Sequence, residues 1–588
     1  MDQQTPFESF RSDATDAALV ALTVLLAALP TGPVAVALLF GHLSHWGLFG
    51  RPRAALAPVY LCLGFAVQAF RSDGLLEWAP VPLAAARAGL ALAAALALAF
   101  DRLLCPLRGR VPAPTGAHDA ALLVVSSKTD FQLRLYYPTP RRSAEERARE
   151  ARRERSKPPA GVPYFLQGRA EVAAGMAAAL DLPSSLLVSW LGETRPWALQ
   201  GSHSTPCVSA SQAGEGALRV LVLSHSLTST PDLYGGLIGE LVSHGFVVAA
   251  IEHGDGSAAY TLSDDRATIP FKPLTAAERR DPRKEYKLRR SQMRTRVDEM
   301  RACADVLQEI ATRPYDPSAA DADAQNEGES EDMLFARLML CGRIAPVQAG
   351  VPRSLLTCIG HSLGGATCIA ALEEDRRFGA AVLFDPWLFP LSATTLSRGL
   401  AHAPILTLIG ETWRESPSFM AGARILWDEK FRRTFRREAR GGDAEGDVDG
   451  LDVSMSNGVA PDGSVDPKFF VRSGAVNPGS AVALVSGLRH YSFTDGAVLA
   501  ETALRLAGKI GSRPGADVHR VVAALTRGFL TKLRVSAVAK VPANAVAQDL
   551  GVTEAEAASF DVMGSMALSG GASTAPAPAP APAAAAAR

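Results

Sequence analysis

Apolar and polar positions divide the 588-residue chain into three zones before any motif is considered. Residues 17–43, 54–70 and 79–100 are apolar runs, each about long enough to cross a hydrocarbon core of roughly 30 Å. They predict three transmembrane helices in residues 1–110. Pro30 and Pro33 interrupt the first run, the second is short, and Arg87 sits in the third, so a buried helical subdomain is the competing expectation. From Ala121 onward short β-rich runs alternate with helical patterns. Strands are predicted at 121–127, 131–138, 218–224, 246–252, 354–359, 380–384, 404–410 and 481–485. Several of the later ones are apolar throughout, as strands covered by helices on both faces must be. Between Arg290 and Ile310, Val297, Met300, Cys303, Leu307 and Ile310 recur at helical spacing. Alternation of this kind over four hundred residues predicts a doubly wound, mostly parallel α/β sheet.

Residues 118–536 are therefore expected to form one catalytic-sized domain, whose last helix covers 516–535. Residues 142–157 are a charged run, 316–332 an acidic insert of small residues and 441–466 an insert rich in Gly, Asp and Ser. All three read as solvated decoration. Residues 537–588 read as a low-complexity tail, disordered or extended, most plainly from about 566.

Charge changes the picture little. Sixty basic residues balance sixty acidic ones, which gives no support for a nucleic-acid partner. Arg51, Arg53, Arg102, Arg108 and Arg110 flank one side of the apolar runs, and Arg11 and Arg71 the other, so the positive-inside rule places the following domain in the cytoplasm. An acidic amino terminus followed by two further apolar runs fits a cleavable signal peptide poorly. The seven cysteines lack C-x-x-C spacing and read as reduced thiols, with neither zinc site nor disulfide framework. No metal and no cofactor is expected.

The segment CIGHSLGGA (358–366) contains G-x-S-x-G as Gly360, His361, Ser362, Leu363, Gly364. An apolar strand enters it and a small-residue helix leaves it, the context of a nucleophile elbow in an α/β-hydrolase fold. A serine hydroxyl needs a base and a group that orients the base, and in this fold they follow in the order acid, then His. Asp385 ends the strand after the elbow helix and is the candidate acid, with Asp375 as competitor. His490, after the last strand and its Ser486-Gly487 turn, is the candidate base, whereas His402 precedes a strand. An oxyanion needs two backbone N–H donors: Leu363 supplies one, and the turn in LVLSHSLTST (221–230) the other, through Leu227 or, second, Ser226. His225 in that turn suits a structural hydrogen bond.

Several segments together resemble the platelet-activating factor acetylhydrolase (lipoprotein-associated phospholipase A2) family. They are FQLRLYYPTP (131–140), PYF (163–165), LSHSLTSTPDLYGGLIGELVSHGFVVAAIEHGDGSAAYT (223–261), RSQMRTRVDEMRACADVLQEI (290–310), GHSLGGAT (360–367), LFDPWLFPL (383–391) and GLRHYSFTD (487–495). They keep the family's order and span about 120–535. The resemblance implies an α/β-hydrolase fold, Ser362, Asp385 and His490 as nucleophile, acid and base, and Leu227 and Leu363 as oxyanion donors. It also implies calcium-independent hydrolysis of the sn-2 ester of phospholipids with a short or oxidised acyl chain. It suggests a phospholipid substrate as partner; the apolar runs, not the resemblance, add a membrane, and protein partners are unknown. This chain departs from the family pattern in having Ser226 where a Gly is usual, in its longer inserts and in its amino-terminal apolar runs. A broader lipase or carboxylesterase is the alternative enzyme, and a catalytically idle, membrane-bound lipid-binding protein the alternative of another class. The basic run KFRRTFRREAR (430–440) is either a headgroup contact or a solvated patch.

Overall fold

A computed structural model describes residues 111–126, 131–143, 145, 169–180, 206, 218–262, 267–275, 277–318, 329–347, 356–391, 403–414, 481–485, 487–536 and 560–563. The three apolar runs, His402, the basic run 430–440 and the insert 441–466 lie outside the described residues. Among the described residues no helix is long and apolar enough to cross a membrane.

A nine-stranded sheet organises the domain. β1 (Asp119–Ser126), β2 (Gln132–Thr139) and β4 (Phe246–Glu252) pair antiparallel. From β4 through β3 (Arg219–Ser224), β7 (Leu356–His361), β8 (Phe378–Phe384), β9 (Ile405–Ile409) and β10 (Ala481–Val485) every pairing is parallel. Helices α1 (Arg169–Leu180), α2 (Gly235–Ser243), α3 (Pro282–Thr312), α4 (Glu331–Leu340), α5 (Leu363–Glu374) and α6 (Gly515–Ser536) cover it. Alternate residues of one strand enter different cores. Val220 and Val222 pack with α3, α4 and α5, while Leu221 and Leu223 pack with α1, α2 and α6. Burial on both faces is why these strands are apolar without alternation. The result is a doubly wound, mostly parallel α/β sheet, consistent with an α/β-hydrolase.

Eight strands fall where the apolar runs predict them. Three differences have local causes. A two-stranded hairpin of β5 (Tyr260–Leu262) and β6 (Thr268–Pro270) stands apart from the main sheet; its strands are short and part-exposed, so they carry no apolar run. β11 (Phe560–Met563), inside the stretch expected to be a low-complexity tail, pairs antiparallel with β10 at the sheet edge. The packed domain also starts earlier than 118: Val111 is buried in the core beside α2, and Thr115 N–H donates to Glu240 Oε2 at 2.9 Å.

Candidate active site

The carboxyl ends of β3, β7 and β8 bring the sequence-selected residues to one edge. β7 is buried throughout and runs directly into Ser362, after which α5 begins. Ser362 has φ 55 and ψ −115, a conformation that costs a non-glycine residue on the order of 1–3 kcal/mol. Its surroundings hold it there. Ser362 N–H donates to Phe384 O at 3.0 Å, and Ser362 O accepts from Gly365 N–H at 3.0 Å and Trp387 N–H at 2.9 Å. A Cβ on Gly364 would stand 2.1 Å from the Ser224 carbonyl oxygen, so the motif's second glycine lets the elbow pack against the end of β3.

Asp385 is the first residue past β8, fully buried with φ 39. Its Oδ1 accepts from Gly410 N–H at 2.8 Å and its Oδ2 faces His490 Nδ1 at 3.3 Å. His490 opens a short 3-10 turn, His490–Phe493, reached from β10 through Gly487 at φ 77. The carboxylate thus orients the imidazole through Nδ1 and leaves Nε2 toward the open side, the arrangement a general base needs. Asp375 lies at the other end of β8, where Arg377 binds it with Nη2 2.6 Å from Oδ2. Burial opposes its ionisation, but the hydrogen bonds from Arg377 hold its carboxyl below the usual range.

The structure brings Asp385 and His490 into contact and sets Ser362 beside them without a hydrogen bond. Among the described residues neither the Ser362 hydroxyl nor His490 Nε2 has a partner. Catalytic hydrogen bonds commonly tighten only with substrate present. His361, the residue before Ser362, packs against His490. It is fully buried, its ring centroid lies 4.7 Å from that of His490, and its Nδ1 lies 2.9 Å from the Tyr234 hydroxyl. Burial, with the charge of His490 second, pushes its pKa well below the ordinary value, so it is a neutral packing and hydrogen-bonding group.

On the oxyanion side, Leu227 and Leu363 N–H have no acceptor among the described residues, whereas Ser226 N–H donates to the Tyr234 hydroxyl at 3.0 Å. That bond takes Ser226 out of contention as the second donor. Thr228 has φ 57, and its N–H donates to Ser257 O at 2.8 Å. Ser226 itself is absent from the positive-φ residues, so a serine is accommodated there without left-handed strain.

Beneath this turn lies a buried polar network that the sequence did not reveal. His225 Nδ1 donates to Ser226 O at 2.8 Å, and its Nε2 accepts from His253 N–H at 3.3 Å. His253 lies 2.8 Å from Ser224 Oγ through Nε2 and 2.5 Å from Glu299 Oε2 through Nδ1. Arg296 donates to His225 O at 2.6 Å and pairs with Asp255 at 3.0 Å. Burial, then the Arg296 charge, drives both histidines well below the ordinary pKa, so neither is a competing base. A second buried cluster holds Arg134 between Asp232 and Glu252. Burial, against the pull of Arg134, pushes the Glu252 carboxyl up to about 8. Asp232 belongs to the short turn Pro231–Tyr234 that carries Tyr234. Arg296 and Glu299 flank the apolar stripe of α3, and their spacing alone reads as a helix surface.

Residues 120–439 match the family model described as platelet-activating factor acetylhydrolase, isoform II. The chain belongs to this family. The match includes Ser362 and Asp385 but ends before His490, so the assignment of His490 rests on its geometry against Asp385. Platelet-activating factor acetylhydrolase of Bos taurus is 29% identical over 229 residues, covering 37% of this chain and 46% of that protein. The enzyme of Cavia porcellus is 33% identical over 187 residues, covering 30% and 37%. A putative phospholipase A2 of Schizosaccharomyces pombe is 24% identical over 215 residues, covering 34% and 47%. The chain thus spans less than half the length of each of these relatives.

Proposed function

We propose that this protein is a serine esterase that cleaves the sn-2 ester of phospholipids bearing a short or oxidised acyl chain. The observation that carries the reading is the Asp385–His490 pair at the sheet edge where Ser362 is held in its strained turn. In the proposed reaction His490 Nε2 takes the Ser362 hydroxyl proton as Oγ attacks the ester carbonyl. Leu227 and Leu363 N–H stabilise the resulting oxyanion, and Asp385 holds the imidazolium that forms. His490 then returns the proton to the departing lysophospholipid oxygen, leaving an acyl-Ser362 ester. Water activated by the same imidazole hydrolyses it. Each step moves a proton between side chains and substrate, so the cycle needs no calcium. Family membership and the names of the relatives support a phospholipid as substrate.

The proposed setting is a membrane, with the apolar runs of residues 1–110 as a multi-pass anchor and the catalytic domain on the cytoplasmic side. An anchored enzyme meets lipid substrate at high effective concentration. Retention in membranes after alkaline carbonate extraction supports the anchor, and release into the supernatant contradicts it.

The test of activity is hydrolysis of sn-2 acetyl and sn-2 long-chain phosphatidylcholine in a calcium-chelating buffer. Acetyl-selective turnover supports the proposal. Preference for long-chain or unrelated esters points to a broader lipase or carboxylesterase, and phospholipid binding without turnover of any ester to a lipid-binding protein.

A further inference from the structure

Tyr234 belongs to none of the segments that carry the catalytic residues, yet it touches two of them. It is buried, and its hydroxyl accepts from Ser226 N–H at 3.0 Å and lies 2.9 Å from His361 Nδ1. One oxygen atom thus reaches both the residue before the oxyanion donor Leu227 and the residue before the nucleophile Ser362. Burial pushes the Tyr234 pKa up, so the oxygen stays a protonated hydroxyl that can donate as well as accept.

The turn that carries Tyr234 is fixed on both sides. Asp232, two residues earlier, pairs with the buried Arg134, which also holds Glu252 at the end of β4. Leu233 O accepts from Asp495 N–H at 2.7 Å, and the Asp495 carboxylate accepts from Gly236 N–H at 3.0 and 3.1 Å. Asp495 comes just after the His490–Phe493 turn. The Pro231–Tyr234 turn and the start of α2 are therefore bonded to the oxyanion turn, to the elbow and to the segment that carries His490. A hub of this kind can set distances among the three without meeting substrate.

We infer that Tyr234 is a positioning residue: its hydroxyl sets the oxyanion turn at a fixed spacing from the nucleophile elbow, so that Leu227 and Leu363 N–H converge on one oxygen. The inference rests on the ester hydrolysis proposed above. Both donors must lie about 3 Å from the developing charge, yet Leu363 moves with the elbow and Leu227 with the turn. The two contacts of the Tyr234 hydroxyl cross the gap between those pieces of chain. By contrast, Thr228 N–H ties the turn to Ser257 O on its other side.

The test is steady-state hydrolysis of sn-2 acetyl phosphatidylcholine and of p-nitrophenyl acetate by the purified full-length chain. Rates are expressed per site, with sites titrated to completion by a fluorophosphonate. Tyr234→Phe removes one oxygen atom and keeps the ring. Its kcat per titrated site should fall roughly tenfold to a hundredfold, with KM within about twofold for both esters. A tyrosine that only stabilises the fold would instead lower the number of titratable sites or the thermal midpoint and leave kcat per site at the wild-type value. That result overturns the inference. His361→Leu cuts the same link from the other side and should lose kcat to a similar degree. His361→Asn, which keeps a hydrogen-bonding atom near the place of Nδ1, should regain about fivefold or more of that loss. Equal rates in the two His361 variants also overturn the inference, and this comparison stands even where Tyr234→Phe fails to fold. Combining Tyr234→Phe with His361→Leu should cost little more than either change alone, because both act through one contact. Losses that multiply would contradict it. Wild-type turnover of p-nitrophenyl acetate without phospholipid cleavage would sink the substrate proposal alone and leave this inference to be decided on that ester.

Discussion

Asp385 Oδ2 lies 3.3 Å from His490 Nδ1 across 105 residues of sequence, while Asp385 Oδ1 accepts from Gly410 N–H at 2.8 Å. Both carboxylate oxygens are thus committed, one to the backbone of the neighbouring strand and one to the imidazole.

Asp385→Asn keeps the shape and the bond from Gly410 but turns an amide N–H toward His490 Nδ1. The imidazole then carries its proton on Nε2, where it cannot act as a base. We expect kcat to fall by about 10³–10⁴-fold with the thermal midpoint little changed. A loss smaller than tenfold would remove Asp385 from the proposed triad.

The strained turn at Ser362 gives a second expectation. Alanine at 362 keeps the positive φ and its strain, whereas glycine relieves it at the cost of a more flexible unfolded chain. Both variants should be inactive, and Ser362→Gly should be more stable than Ser362→Ala by about 1 kcal/mol. Parallel unfolding curves decide it, and a less stable glycine variant would mean that the turn is not strained.

Much of this was legible in the chain because both faces of the parallel strands are covered, so each reads as an apolar run. The elbow was legible because its two glycines answer to backbone atoms a few ångströms away. The polar network was not. Arg296 and Glu299 sit beside the apolar stripe of α3, and only the packing of α3 over the ends of β3 and β4 shows that they are buried. His361 occupied a variable position of the serine motif, and its packing against the His490 ring depends on the 3-10 turn after β10. β11 escaped notice because four residues in a biased tail carry too little pattern.

Glu299 offers a test of that network. Glu299→Gln removes the charge that holds His253, and with it the support of Ser224 and the oxyanion turn. Misplacement of a donor by about 1 Å can cost about 10²-fold. We expect kcat to fall roughly tenfold to a hundredfold with KM within about twofold, and Glu299→Asp to recover part of the loss. A lower thermal midpoint with kcat intact would mean that the network serves stability alone.

Acid should weaken the fold. His225, His253 and His361 titrate well below the ordinary histidine value, and His519 below it, each first through burial. The unfolded chain therefore binds more protons than the folded one just below the unfolded value of about 6.5. Their contribution is complete above that value and lost as pH falls through it. Glu252, raised to about 8, works the other way, since the folded state keeps its proton as pH rises from about 4.5 to 8. With His118, whose pKa burial also lowers, five groups against one predict a thermal midpoint that drops between pH 6.5 and 5. A flat or rising midpoint in that window would contradict the neutral, buried state of these histidines.

The central claim is that Ser362 is the nucleophile, and covalent labelling by a fluorophosphonate probe, located by peptide mass spectrometry, tests it most directly. The account predicts a single phosphonylated peptide containing Ser362 in the wild-type protein and no labelling in Ser362→Ala. Label on another serine, or ester turnover that survives in Ser362→Ala, would contradict it.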